Sequence, residues 1–347
     1  MSTPPKFLFL FGMPRSGTSW LGKIFDSHPQ TLYKHEPDRK LELPFAIPLQ
    51  EAEANAGRIQ EFVSKLSRIN TAHVAARLPV FSKQYRSASG QFAHRASVLA
   101  TTAAGAFNWK LPVFLAANVH SPEVRVVWKS TDSLGRLGAI LRIVTDSRAV
   151  RIFRHPCGYI SSVLRGERQR EFVSGVPTSE DYGLIEILLE AAGPFRRGLS
   201  INHMHQLSPV ERMAWMWVLL NEKALSDTES NERCTSVRYE DVCRYPNKKA
   251  KELFSFFALR WSEQTSAFIR ASTLATEGQA LDRFTQKRDR YYSVFKDPMR
   301  AAEKWKSEMK TEDVEKVYRV LRQSDLLHMY PESELQEGYV APITTAR

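Results

Sequence analysis

The sequence predicts an α/β fold with a central, mainly parallel sheet flanked by helices. Three observations predict it. A short apolar run, Phe7 to Phe11, meets a glycine-containing turn and then a helical pattern at Thr18 to Asp26, with Leu21, Ile24 and Phe25 on one face. A second strand runs into a turn and helix at Val150 to Gly166. Elsewhere strand-like and helix-like segments alternate, as parallel strands joined by helical crossovers require. With 347 residues, 43% of them hydrophobic, the chain can bury a large core and reads as one domain over 1–347.

The elements follow in order. Gly12-x-x-x-x-Gly17 lies between a strand and a helix N-terminus, where backbone N–H groups and the helix dipole face an anion. This layout is P-loop-like, but Thr18 stands where a nucleotide triphosphatase carries its lysine. The positive charge comes earlier, at Arg15, so the loop suits a phosphate and not a triphosphate. A short strand after the first helix leads to Glu36 in the stretch TLYKHEPD. Residues 40–122 carry no recognisable motif and read as a helical insertion. Further strands are expected at Val124–Lys129, Val150–Phe153 and Thr235–Arg238. Thr178 is expected to start a helix that Gly193-Pro194 stops. Ser208-Pro209-Val210-Glu211 forms a capping box with proline at the first helical position. The helix it opens turns Met213, Trp217, Leu220 and Ala224 to one side. A late helix starts at Thr311 with the apolar stripe Val314, Val317, Tyr318 and Leu321. The tail, 331–347, has no periodicity and is expected to be loosely structured.

Composition narrows the function. Cys157, Cys234 and Cys243 form neither a metal-ligand nor a disulfide spacing, which points to a reducing compartment and to no metal. The N-terminus enters the first strand without a leader pattern, and no apolar stretch is long enough to span a bilayer. A cytoplasmic protein is expected, with peripheral membrane contact left open. The net charge of +11 raises nucleic-acid binding, but neither a binding motif nor aromatic-basic interleaving is present. The charge is uneven. From Phe62 to Pro122 there is no Asp or Glu, while Lys65, Arg68, Arg77, Lys83, Arg86, Arg95 and Lys110 occur there with His73, His94 and His120. Such a segment attracts an anionic partner.

The Arg15–Ser19 loop resembles the 5′-phosphosulfate-binding loop of sulfotransferases, which use 3′-phosphoadenosine 5′-phosphosulfate (PAPS). PRSGT is similar to the carbohydrate and tyrosylprotein branches. The Ser-Trp-Leu that follows is similar to the cytosolic small-molecule branch, whose loop has Lys in place of Arg15. The second motif, VRIFRHPCGYISSVLRG, resembles the family's 3′-phosphate site, with Arg154 at the strand end and Ser162 eight positions on. The resemblance implies a P-loop-NTPase-like sulfotransferase fold. It also implies that Arg15, Ser16, Gly17, Thr18 and Ser19 hold the 5′-phosphosulfate and that Arg154 and Ser162 hold the 3′-phosphate. A fork of guanidinium donors and a helix first-turn hydroxyl suit that anion.

Further positions follow from the same resemblance. Carbohydrate sulfotransferases have a stretch similar to Tyr33-x-x-Glu36-Pro37, which implies Glu36 as the base that takes the acceptor's proton. His35 is the rival, since the small-molecule branch uses histidine. Lys129 closes a strand where relatives have a lysine on the transferring group, stabilising charge on the leaving oxygen. Trp20 and Tyr239 match aromatic residues that contact adenine. The resemblance covers 6–260 in outline and then weakens. RDRYYSVFKDPMRAAEKWK lacks the Arg-Lys-Gly that closes over the 3′-phosphate in the small-molecule branch, and nothing chooses among Arg290, Lys296 and Arg300. The acceptor implied is a hydroxyl compound, a carbohydrate or glycolipid first, a phenol or alcohol second. The segment 40–122 is expected to select it. A P-loop nucleotide kinase is the alternative of another class, and it would need a loop lysine that this chain lacks.

Overall fold

The computed structural model describes residues 4–107, 109–118, 121, 123–169, 176–193, 197–273 and 297–333. Five strands form one sheet: β1 (Phe7–Gly12), β2 (Thr31–His35), β3 (Arg125–Ser130), β4 (Ser147–Phe153) and β5 (Cys234–Arg238). Their order is β2-β3-β1-β4-β5. Every pairing is parallel, including Phe7 with Val126 and with Ser147 on either side of β1. The sheet described is therefore wholly parallel.

Helices cover both faces. They are α1 (Thr18–Asp26), α2 (Ala56–Leu66), α3 (Ala72–Ala75), α4 (Ala88–Ala106), α5 (Leu137–Ile143), α6 (Pro156–Arg168), α7 (Tyr182–Ala191) and α8 (Ile201–Gln206). Then come α9 (Pro209–Ser226), α10 (Tyr239–Arg244), α11 (Pro246–Phe256), α12 (Glu263–Thr273), α13 (Pro298–Glu303), α14 (Trp305–Glu308) and α15 (Thr311–Leu321). The alternation of side chains along β1 divides the core in two. Leu8 and Leu10 join Leu21, Ile24 and Phe25 of α1 and Phe254 of α11. Phe9 and Phe11 join Trp128, Ile160, Trp217 and Val317 on the other face. Each such side chain, fully buried, contributes about 1.5–3 kcal/mol, which is why β1 reads as a continuous apolar run.

Two expectations change. Thr178 opens only a 3-10 turn, Thr178–Glu180. The helix proper starts at Tyr182, because the Asp181 side chain accepts the Leu184 N–H (3.0 Å) and is the better cap. The capping box at Ser208 is present, but α9 is buried on all sides from Arg212 to Ala224 and not along one stripe. Its charged residues are satisfied inside: Arg212 Nε donates to the Ser179 carbonyl (2.7 Å), and Glu222 takes both prongs of Arg197 (2.5 and 2.8 Å). Between β2 and β3 the chain carries α2, α3 and α4 and no strand among the described residues. No helix described is long and apolar enough to cross a membrane.

Candidate active site

In a parallel sheet all strands end on one edge, and ligands bind outside the carboxyl ends where the order reverses. Here the order reverses at β1, between β3 and β4. The carboxyl ends of the strands carry Gly12 and its loop, Glu36, Lys129, Arg154 and Tyr239. Residues far apart in the chain thus share one edge.

The loop after β1 is shaped by two left-handed residues, Arg15 (φ 67°) and Gly17 (φ 81°). Ser16 Oγ donates to the Met13 carbonyl (2.6 Å) and closes the turn. Gly17 caps α1, and a Cβ there would lie 2.1 Å from the Tyr239 ring, so both the backbone and the space require glycine. Thr18 is buried and Ser19 half-buried at the helix start. The two expected phosphate sites touch. Arg15 Nε donates to Ser162 Oγ (2.9 Å), and Arg154 Nη1 donates to the Arg15 carbonyl (2.6 Å).

Arg154 is buried, and its second prong, Nη2, donates to the Ala301 carbonyl (2.7 Å). Both prongs expected for a phosphate are therefore on main-chain carbonyls, and the buried Nε has no hydrogen-bond partner. The guanidinium lies 5.2 Å from the Tyr239 ring centre. Trp20 meets Tyr239 edge to face (6.5 Å between rings), and its Nε1–H donates to Ser272 Oγ (3.0 Å). Both aromatic residues are largely buried. Ala301 belongs to α13, which also carries Arg300 on its exposed side. Arg290 and Lys296 lie outside the described residues.

Glu36 follows β2 in the left-handed region (φ 44°) directly before Pro37, an uncommon backbone that costs of order 1–3 kcal/mol. The pairing of β2 with β3 holds it: His35 sits opposite Lys129, and the Glu36 N–H donates to the Lys129 carbonyl (2.8 Å). The side chains then meet, with Lys129 Nζ donating to Glu36 Oε1. Thr131 Oγ1 donates to the same oxygen (3.3 Å), and Arg39 Nε pairs with Oε2 (3.2 Å). His73 Nε2 stands 3.6 Å from Oε2, just outside hydrogen-bond reach. Burial alone would raise the Glu36 carboxyl, but His73 and Lys129 outweigh it and hold it far below the usual carboxylate range. Burial lowers the Lys129 ammonium, and Glu36 partly restores it.

The alternatives fare differently. His35 is buried, its Nδ1 pairs with the Tyr33 hydroxyl (3.0 Å), and burial with Lys129 keeps it neutral. Asp38 is enclosed by Trp128 Nε1 (3.1 Å), Ser130 Oγ (2.5 Å) and Ser133, so it fastens the β3 end. His73 was not legible as a neighbour of Glu36, since α3 brings it from far along the chain; Arg39, one turn on, could have been read from spacing. The fold also assembles what spacing did not show. Donor atoms of His35, Glu36 and His73 lie within 4.8 Å of one another, the arrangement a cation could use. Both carboxylate oxygens already face Lys129 and Arg39, and these two charges oppose a further cation there.

The model of the sulfotransferase family matches residues 5–263. No curated protein matches the sequence. Among solved structures, the sulfotransferase domain of the olefin synthase from Synechococcus PCC 7002 is 15% identical, with a TM-score of 0.43, over 92% of this chain and 95% of that one. The sulfotransferase domain of the curacin biosynthetic pathway is also 15% identical, with a TM-score of 0.43, over 93% and 98%. Sulfotransferase STF1 of Mycobacterium tuberculosis H37Rv is 14% identical, with a TM-score of 0.39, over 84% and 76%.

Proposed function

The chain belongs to the sulfotransferase family, PAPS-dependent enzymes of sulfuryl transfer, and from that premise we propose which residues carry the reaction. The observation that carries the proposal is the shared strand edge: the β1 loop, Glu36, Lys129, Arg154 and Tyr239 all lie along it. Arg15, Ser16, Gly17, Thr18 and Ser19 hold the 5′-phosphosulfate with loop N–H groups, the helix dipole and one guanidinium. Ser162 and the unpartnered Arg154 Nε meet the 3′-phosphate, and the Arg15–Ser162 hydrogen bond gives way to the donor's anion. Trp20 and Tyr239 flank the adenine.

The reaction is a single in-line displacement. The acceptor oxygen attacks sulfur as its proton passes to Glu36. The bond from sulfur to the 5′-phosphate oxygen breaks, its electrons stay on adenosine 3′,5′-bisphosphate, and Lys129 stabilises them. Positioning and charge supply most of the rate.

The acceptor is a hydroxyl of an anionic saccharide or glycolipid, selected by the insertion at 40–122. Exposed Lys65, Arg68, Arg77, Arg95 and Lys110 support this reading. Lys83 and Arg86 do not, because Lys83 is buried on Asp26 (3.2 Å) and the half-buried Arg86 donates to the Leu115 carbonyl (2.9 Å). The free thiols of Cys157, Cys234 and Cys243 fit a cytoplasmic, reducing setting.

Calorimetry with adenosine 3′,5′-bisphosphate and with AMP tests the donor assignment. The bisphosphate is expected to bind the more tightly, and Arg154→Ala to remove most of the difference, since a charge-assisted hydrogen bond is worth about 1.5–3 kcal/mol. Equal affinity for the two nucleotides refutes it. Transfer of labelled sulfate from PAPS to a panel of glycans, lipids and phenols identifies the acceptor.

A further inference from the structure

Helices on protein surfaces turn their apolar stripe inward. The long helix α4 also does the reverse. Its inner side is His94, Val98, Thr101 and Ala104, all buried. Its outer side carries Phe92 and Leu99, 75% and 61% exposed, with exposed Ala96 and Ala103 in step. The positions 92, 96, 99 and 103 fall on one line along a helix.

The chain beyond α4 extends this surface. Phe107 and Trp109 are 75% and 69% exposed, their rings 6.3 Å apart. The chain then runs back along the inner side of the helix: the Phe114 N–H donates to Ser97 Oγ (2.7 Å), and His94 Nδ1 pairs with the Phe114 carbonyl (2.7 Å). Four large apolar side chains, Phe92, Leu99, Phe107 and Trp109, along one helix face and at its end exceed the scattered exposure of an ordinary surface.

Charge decides what covers them. Arg95 and Lys110 are exposed among these residues, and no Asp or Glu occurs from Phe62 to Pro122. A second copy meeting this face about a two-fold axis would set Arg95 and Lys110 against their like, with no carboxylate from this stretch to offset them. Anionic headgroups complement the cations, and a hydrocarbon boundary takes the Phe, Leu and Trp side chains. We propose that the outer face of α4, with Phe107 and Trp109 at its end, docks on an anionic lipid membrane. The surface lies on the crossover whose α3 packs between β2 and α4 and brings His73 to Glu36. The docking does not rest on the assignment of Glu36 as base.

Co-sedimentation of the whole chain with vesicles tests the docking without any enzymatic readout. Binding is expected to phosphatidylcholine mixed with phosphatidylglycerol, not to phosphatidylcholine alone, and to weaken with salt. The double variant Phe92→Ser, Leu99→Ser is expected to weaken it at least about tenfold, because two apolar side chains no longer enter the lipid. Its melting temperature and its affinity for adenosine 3′,5′-bisphosphate should stay unchanged. Brominated lipid should quench tryptophan emission in the parent and much less in Trp109→Phe. Failure to bind anionic vesicles, or equal binding to neutral ones, overturns the proposal. So does sedimentation velocity showing a dimer that the double variant dissolves, which would assign the face to a second copy.

Discussion

Glu36 and Lys129 neutralise each other in the free protein, and in the proposed reaction sulfuryl transfer has to part them. While Lys129 and Arg39 hold its two oxygens, the carboxylate is a poor proton acceptor. A donor that draws the Lys129 ammonium to its own oxygen removes the Oε1 partner and raises the proton affinity of Glu36 when the acceptor needs it. The pair is also buried, so neither charge can be removed without leaving the other exposed to a low dielectric. Glu36→Gln keeps the size and an amide oxygen for Lys129, and removes the base together with the charge that offsets the ammonium. Turnover is expected to fall by roughly 10²–10⁴, the usual contribution of a positioned base, with affinity for adenosine 3′,5′-bisphosphate unchanged. Single-turnover kinetics beside calorimetry separate the two. Near-normal turnover would shift the role to His35, since Asp38 is tied to Trp128, Ser130 and Ser133.

At the scale of elements, the turn from β1 into α1 depends on one glycine. Gly17→Ala would put a side chain at φ 81° and 2.1 Å from the Tyr239 ring. The left-handed backbone alone costs about 1–2 kcal/mol, and the ring must move as well. A fall in melting temperature and in bisphosphate affinity together is expected. Gly57→Ala, in α2 with open space around it, is the control and should stabilise by about 0.5–1 kcal/mol. Denaturation curves of both variants with and without nucleotide check this. The contrast explains what was legible in the sequence. The β1 loop, Glu36 and the Arg154–Ser162 motif each sit on a local strand–turn–helix, where neighbours in sequence are neighbours in space. The strands were legible for the same reason, their apolar runs being short and bounded. The approach of His73 to Glu36, the grip of Ala301 on Arg154 and the burial of α9 on every side depend on elements meeting from far along the chain. Local pattern carries no trace of such meetings.

Across the whole molecule, one histidine ties the C-terminal helices to the sheet edge that carries the site. His155 follows Arg154, caps α6 by accepting the Cys157 N–H (3.2 Å), and stacks on Trp305 of α14 (4.4 Å). Its Nε2 pairs with the Tyr318 hydroxyl of α15 (3.1 Å). Burial, reinforced by Arg238, Lys306 and Arg154, lowers its pKa to about 3. The sign of the effect follows from the two states. The unfolded chain takes up a proton on this imidazole near pH 6.5, whereas the folded chain does so only near the lowered value. The stabilisation is therefore full above pH 6.5 and is lost as pH falls toward 3, about 2 kcal/mol of it by pH 5. His28 and His94, both lowered to about 4, act in the same direction. The carboxyl of Glu36 adds a further loss below its ordinary range. Thermal melts between pH 8 and pH 5, round values that bracket the unfolded imidazole, should show the melting temperature falling with acid. His155→Asn keeps a cap acceptor but not the stack, so it should melt lower at pH 8 and lose less on acidification. A variant as acid-sensitive as the parent would move the effect to His28 and His94.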